Sequence, residues 1–161
     1  MSQDLSELAR TVIDSNRYMA LGTADASGHP WVTPVWFASE DPQHFHWVSS
    51  PESRHSRNLE ARPEVAIAIF DSTVVPGTAK AVYMSGLAGE LTGSQLEPGL
   101  EVFDRVSRKD LGREWGLDDV QEPSLFRLYR ATISEHFVLI PGRDPERGTG
   151  VDRREQVELL G

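Results

Sequence analysis

The sequence predicts a mainly β fold, an antiparallel barrel flanked by helices, on three observations. Short runs rich in β-branched and aromatic residues recur at close spacing, turn residues separate them, and helical periodicity is confined to three segments. The 161 residues, 39% of them hydrophobic, make one domain with a single core.

Residues 4–16 place Leu5, Leu8, Ala9, Val12 and Ile13 on one helical face, with Ser2 or Asp4 as the cap. Tyr18–Ala24 and residues 31–38 then read as a hairpin around the turn Asp25-Ala26-Ser27-Gly28. Residues 45–49 and 65–70 supply the third and fourth strands. The polar stretch between them, closed by Pro63, is a short helix starting near Ser53. Residues 71–78 are a turn-rich connection, and residues 80–92 form the fifth strand, with Gly86 and Gly89 as expected bend or bulge sites. A helix over residues 95–119 carries Leu96, Leu100, Phe103 and Val106 at helical spacing, and residues 125–140 are the sixth strand. The barrel domain is thus residues 1–141. Residues 142–161, with Gly142, Gly148, Gly150 and mixed charges, read as a charged tail that is mobile or orders against a partner.

Composition narrows the chemistry. Without cysteine there are no disulfides, thiolate nucleophiles or Cys-based metal sites. A net charge of -9 disfavours nucleic acid and anionic membranes as partners. No apolar run approaches the length of a bilayer span, and the start MSQDLSELAR has no secretion-signal pattern, so a soluble, cytoplasmic protein is expected. Only Lys80 and Lys109 are lysines, which leaves most positive charge on guanidinium groups suited to clamping a small anion.

The most informative stretch is 49–62. A helix beginning near Ser53 offers unpaired N–H groups and a positive dipole end, beside Arg54, Arg57, His55 and the hydroxyls of Ser49, Ser50, Ser53 and Ser56. This is a phosphate cradle or, alternatively, a solvated helix whose arginines pair with Glu52 and Glu60. His44 and His46 alternate on a strand as two metal ligands would, but no carboxylate is fixed beside them by spacing. A structural role is expected and no metal site is assigned. His29 is expected to cap its turn, and His136 to be packed or at the surface. Trp31, Trp36, Trp47 and Trp115 offer either a ligand platform or core packing. Catalytic carboxylate pairs, nucleophile elbows and nucleotide-binding glycine loops are missing from the sequence.

Three stretches together resemble the pyridoxamine 5′-phosphate oxidase-like flavin-binding split barrels. They are His29-Pro30-Trp31-Val32-Thr33-Pro34-Val35-Trp36-Phe37, then Ser49-Ser50 followed by Ser53-Arg54-His55-Ser56-Arg57-Asn58-Leu59-Glu60-Ala61-Arg62-Pro63, and the strand over 65–70. The similarity spans about the first 93 residues and returns over 125–140. It implies a six-stranded antiparallel split barrel of Greek-key type, paired as a homodimer with flavin mononucleotide (FMN) at the subunit interface. It implies that Arg54 and His55 hold the flavin phosphate with Ser49 and Ser53, and that Thr33, Pro34, Val35 and Trp36 run along the isoalloxazine ring. Lys80 and Tyr83 are further candidates for cofactor contact.

The chain departs from the vitamin-producing oxidase of that family at Thr33 and Ala38, where the oxidase has basic residues, and at His55, where lysine is common. Residues 143–161 hold no counterpart of its carboxyl-terminal Trp and Arg. The expectation is therefore an FMN-dependent oxidoreductase for a small organic substrate other than pyridoxamine phosphate. A deazaflavin-dependent reductase, or a non-catalytic flavin- or haem-binding protein, is the alternative.

Overall fold

The computed structural model describes residues 4–160. In chain order the elements are α1 (Leu5–Ser15), β1 (Tyr18–Ala24), β2 (Pro30–Trp36), β3 (His44–Ser49), α2 (Arg54–Ala61), β4 (Glu64–Phe70), β5 (Ala81–Glu90), α3 (Leu96–Leu111), β6 (Arg127–Ile140) and β7 (Arg153–Val157). No helix among the described residues is long and apolar enough to cross a membrane.

The strands form one antiparallel sheet in the order β2-β1-β4-β5-β6-β3, with β7 beside β6. Strand β6 is long enough to serve two partners along one edge: β3 pairs with Arg127 to Thr132, and β7 with His136 to Ile140. Seven strands thus replace the expected six, because part of the tail joins the protein's own sheet. The barrel is not closed by a continuous ladder either. Ala38 and His46 exchange two backbone hydrogen bonds of 2.8 and 2.9 Å, and this single bridge ties the chain beyond β2 to β3.

The main core lies inside the curled sheet, where Met19, Leu21, Phe45, Trp47, Ile67 and Ile69 meet. The predicted face of α1 closes one side of it with Leu8, Ala9, Val12 and Ile13, and Asp4 caps that helix by accepting from the Ser6 N–H at 2.9 Å. Ser2, the other candidate cap, lies outside the described residues. A second cluster, including Leu91, Leu100, Phe103 and Leu128, forms under α3.

Two glycines allow close approaches. The β5–β6 ladder shifts at Ser85/Gly86, where a Cβ on Gly86 would stand 2.2 Å from the Thr132 carbonyl oxygen. Gly99 lets α3 settle over Leu91 and the His46 ring, since its Cβ would lie 2.3 Å from Leu91 Cδ1. Gly89 faces open space and carries no bulge. Helix α3 is shorter than expected. It stops where Gly112 takes the left-handed conformation (φ 66°) and its N–H bonds the Arg108 carbonyl, leaving only a 3-10 turn at Leu117–Asp119.

Candidate functional site

The site is built on α2. Ser56, Asn58 and Leu59 turn inward from this helix and are buried, and Asn58 Nδ2 donates to Thr23 Oγ1 of β1 at 3.0 Å. That buried bond fixes the helix on the sheet. The helix begins after Ser53, as the sequence indicates, but the Ser53 side chain does not cap it. The N–H groups of the first turn therefore have neither an intrahelical nor a side-chain acceptor. Ser53 Oγ instead stands 2.8 Å from both the Ser50 carbonyl oxygen and Ser56 Oγ. His55 Nε2 is 2.8 Å from Ser49 Oγ and 3.3 Å from Ser53 Oγ. Three of the expected phosphate-binding residues are thus joined in one network at a positive helix end.

The two arginines diverge. Arg54 lays its guanidinium over the Trp31 ring at 4.4 Å from the centroid, which keeps it at the start of β2. Arg57 pairs with Glu52 at 3.3 Å in solvent, so it follows the surface reading of the helix. His55 differs from the expectation of a charged pair with Arg54. Burial lowers its pKa below the ordinary histidine value, which leaves a neutral imidazole at neutral pH. It contributes a hydrogen-bonding edge, and Arg54 contributes the charge.

Beside this network runs a cleft of about 370 Å³. Thr33, Pro34, Val35 and Trp36 of β2 line one part, and Ser49 and His55 another. β2 ends the sheet order, so one of its edges has no ladder partner, and two prolines are tolerated there. Val48, Phe103, Trp115 and Phe126 complete the lining. Helical spacing places Phe103 in the core, but no signal in the sequence joins it or Phe126 to this cleft, because α3 and the segment before β6 reach it only through tertiary packing.

Lys80 is not brought to this cleft. It precedes β5, next to the far end of β4, roughly 20 Å along the strand from α2 at about 3.3 Å per residue. There it lines a separate hollow of about 280 Å³ with Leu5, Leu8 and Arg147. Tyr83 lies under the Arg154 guanidinium, 3.9 Å from its ring centroid.

The other histidines take structural places. His44 Nδ1 lies 3.0 Å from Asp41 Oδ2, His29 sits in the turn built on Asp25, and His136 Nε2 is buried 2.6 Å from the Pro42 carbonyl oxygen. Among the described residues no group of three or more His, Asp or Glu side chains could hold a metal. His46 is buried under α3, its Nδ1 unpartnered, and burial pushes its pKa down to about 4. The unfolded chain takes up that proton near pH 6.5. The stability His46 contributes is therefore complete above about 6.5 and lost as pH falls toward about 4. In urea titrations at pH 7, 5.5 and 4, His46→Gln should flatten the acid-side loss by ~1–3 kcal/mol. An unchanged slope would show that this imidazole titrates normally.

Comparison with known proteins identifies the family and the fold. The family model described as pyridoxamine 5′-phosphate oxidase matches residues 5–136. No curated protein matches the chain. Among solved structures, the haem-binding protein of Mycobacterium smegmatis superposes with a TM-score of 0.66 at 19% identity, over 97% of this chain and 59% of that one. The haem storage protein HutZ of Vibrio cholerae gives 0.68 at 21%, over 87% and 96%. An F420 reductase gives 0.58 at 19%, over 79% and 94%. At these identities the solved structures establish the shared fold, and the chain spans under two thirds of the length of the mycobacterial protein. With the family model matched over most of its length, the chain belongs to the pyridoxamine 5′-phosphate oxidase family.

Proposed function

We propose that the protein is an FMN-dependent oxidoreductase acting on a small organic substrate. The observation that carries this reading is the meeting, in one cleft, of the unpaired edge of β2 with the amino-terminal end of α2. The donor set in and beside it fits a phosphomonoester: Ser49 and His55 in the lining, with the uncapped helical N–H groups, the Ser53 hydroxyl and the Arg54 guanidinium next to them on α2. Thr33 to Trp36 fit the edge of a flat ring through backbone groups that no neighbouring strand uses. Bound there, a flavin supplies hydride or electron-pair transfer. The chain's own residues anchor the phosphate, orient the ring and line the space beside it.

A homodimer is part of the proposal. β2 exposes Trp31 and Val32, the latter at 64%, and Tyr18, Leu125 and Phe126 are also exposed apolar side chains, which a second copy would cover.

Two other occupants have specific support. The likeness to an F420 reductase supports a deazaflavin, although the net charge of -9 disfavours its polyanionic tail. The neutral His55 imidazole in the cleft is the kind of group that binds haem iron, and two of the structural neighbours are haem proteins. Titrating the cofactor-free protein with FMN, a deazaflavin and haemin separates the three. FMN is expected to bind tightest, and sedimentation at micromolar concentration is expected to give a dimer. A protein that takes up haemin but no flavin, or that sediments as a monomer, would overturn the corresponding part.

A further inference from the structure

Beyond the residues that fit a phosphate and a ring edge, the cleft has an aromatic wall. The Trp36 and Phe103 rings meet edge-on at 5.1 Å between centroids (78°), and Phe103 and Trp115 at 5.2 Å (81°). These are attractive geometries that fix each ring against the next.

Trp115 is held from several sides. Its indole N–H donates to the fully buried Ser107 hydroxyl at 3.1 Å, its backbone N–H donates to Asp104 Oδ1 at 2.7 Å, and the Arg113 guanidinium covers its ring at 3.9 Å. Arg108 in turn pins Asp104 at 2.8 Å. Phe126 stands at the mouth on a segment that Arg127 Nη1 fixes through 2.7 Å bonds to the Ser124 and Phe126 carbonyls. Phe103 is buried in the cluster under α3 and backs the half-buried Trp36 and Trp115, so the rings that do face the cleft are held rigid, which favours a rigid partner.

Two further observations define that partner. A quarter of the chain is charged, yet the cleft lining has no formal charge, its one titratable group being the neutral His55. At the aromatic end the nearby cations are already engaged, Arg54 on Trp31 and Arg113 on Trp115, so a charged group there would lose its hydration with little compensation. The wall also begins at Trp36, whereas Arg54 is held at Trp31. Five residues of strand, ~16 Å at about 3.3 Å each, separate Arg54 from the aromatic end. A cofactor ring on the backbone of residues 33–36 leaves the side chains of the wall for a second flat molecule.

We propose that Trp36 and Trp115, backed by the buried Phe103 and with Phe126 at the mouth, select a planar, uncharged aromatic substrate and hold it beside the cofactor ring. The placement beside a ring rests on the flavin reading; the stacking preference does not.

Equilibrium dialysis of 1-naphthol and cyclohexanol against the full chain, with and without FMN, tests this together with Trp115→Ala and Phe126→Ala. Naphthol is expected to bind at least tenfold more tightly than cyclohexanol. Each variant should weaken naphthol about three- to tenfold while changing FMN affinity less than threefold. Phe126 is 45% exposed, so its variant folds even where Trp115→Ala does not. Equal binding of the two alcohols, or unchanged naphthol affinity in Phe126→Ala, overturns the proposal. So does a tenfold loss of FMN affinity in Trp115→Ala, because the wall would then hold the cofactor itself. Naphthol binding without FMN binding would reject the flavin reading and leave the stacking preference intact; FMN binding without naphthol binding would do the reverse.

Discussion

A chain ending at Asp152 should lose about 3–6 kcal/mol of unfolding free energy, seen as a large fall in the urea midpoint. The estimate follows from two side chains. Val157 and Leu159 are buried in the main core together with Leu8 and Val12 of α1, and each such apolar side chain contributes ~1.5–3 kcal/mol. The same segment is bonded to α1 at two further points, Arg10 Nη2 donating to the Leu159 carbonyl at 3.2 Å and Ser6 Oγ to the Glu158 carbonyl at 3.4 Å. Its ladder also covers the β6 edge from His136 to Ile140. Val157→Ser with Leu159→Ser keeps the chain length and removes only the apolar burial, so it should reproduce most of the loss. Truncated protein with an unaltered midpoint would show that the segment does not pair with β6 in solution. FMN affinity of the folded truncate should stay as it was, because no residue beyond Phe126 lines the cleft.

Replacing Arg54 with alanine should weaken FMN binding about 10- to 150-fold, the ~1.5–3 kcal/mol of a charge-assisted hydrogen bond. The substitution isolates one function. Arg54 is exposed and touches the body of the protein through the Trp31 ring, so the urea midpoint should move by less than about 0.5 kcal/mol. Arg54→Lys keeps the charge and gives up the planar fork, and it should fall between the two. His55→Ala should cost less than Arg54→Ala, since the imidazole is neutral and offers only its hydrogen-bonding edge. Unchanged cofactor affinity in Arg54→Ala would remove this residue from the site and with it the main electrostatic reason for a phosphate there.

Much of the fold is legible in the order of residues. The apolar stripe Leu8, Ala9, Val12 and Ile13 fixes α1, and the alternation Met19, Leu21 and Thr23 fixes which face of β1 is inside. Pro63 ends the stretch that begins at Ser53, so α2 and its amino-terminal position follow from local rules. β7 escapes the same reading because it lies outside the barrel proper: Arg153, Arg154, Glu155 and Gln156 give it no apolar face, and only Val157 goes inward. Helix α3 ends short of the expected 119 because Gly112 takes the left-handed conformation, and the charged Lys109, Asp110, Arg113 and Glu114 carry no apolar face onward.

The sequence by itself determined the kind of every strand and α-helix except β7, the inward face of α1 and the chemistry gathered at the start of α2. Tertiary structure alone decided which other groups join it. Ser49 and His55, six residues apart, meet across the turn into α2, whereas tertiary packing brings Phe103, Trp115 and Phe126 to the same cleft and the length of the β4–β5 hairpin carries Lys80 away from it. Local propensity depends on neighbours within a turn or a strand, whereas a cleft and the pKa values inside it depend on burial by partners far along the chain.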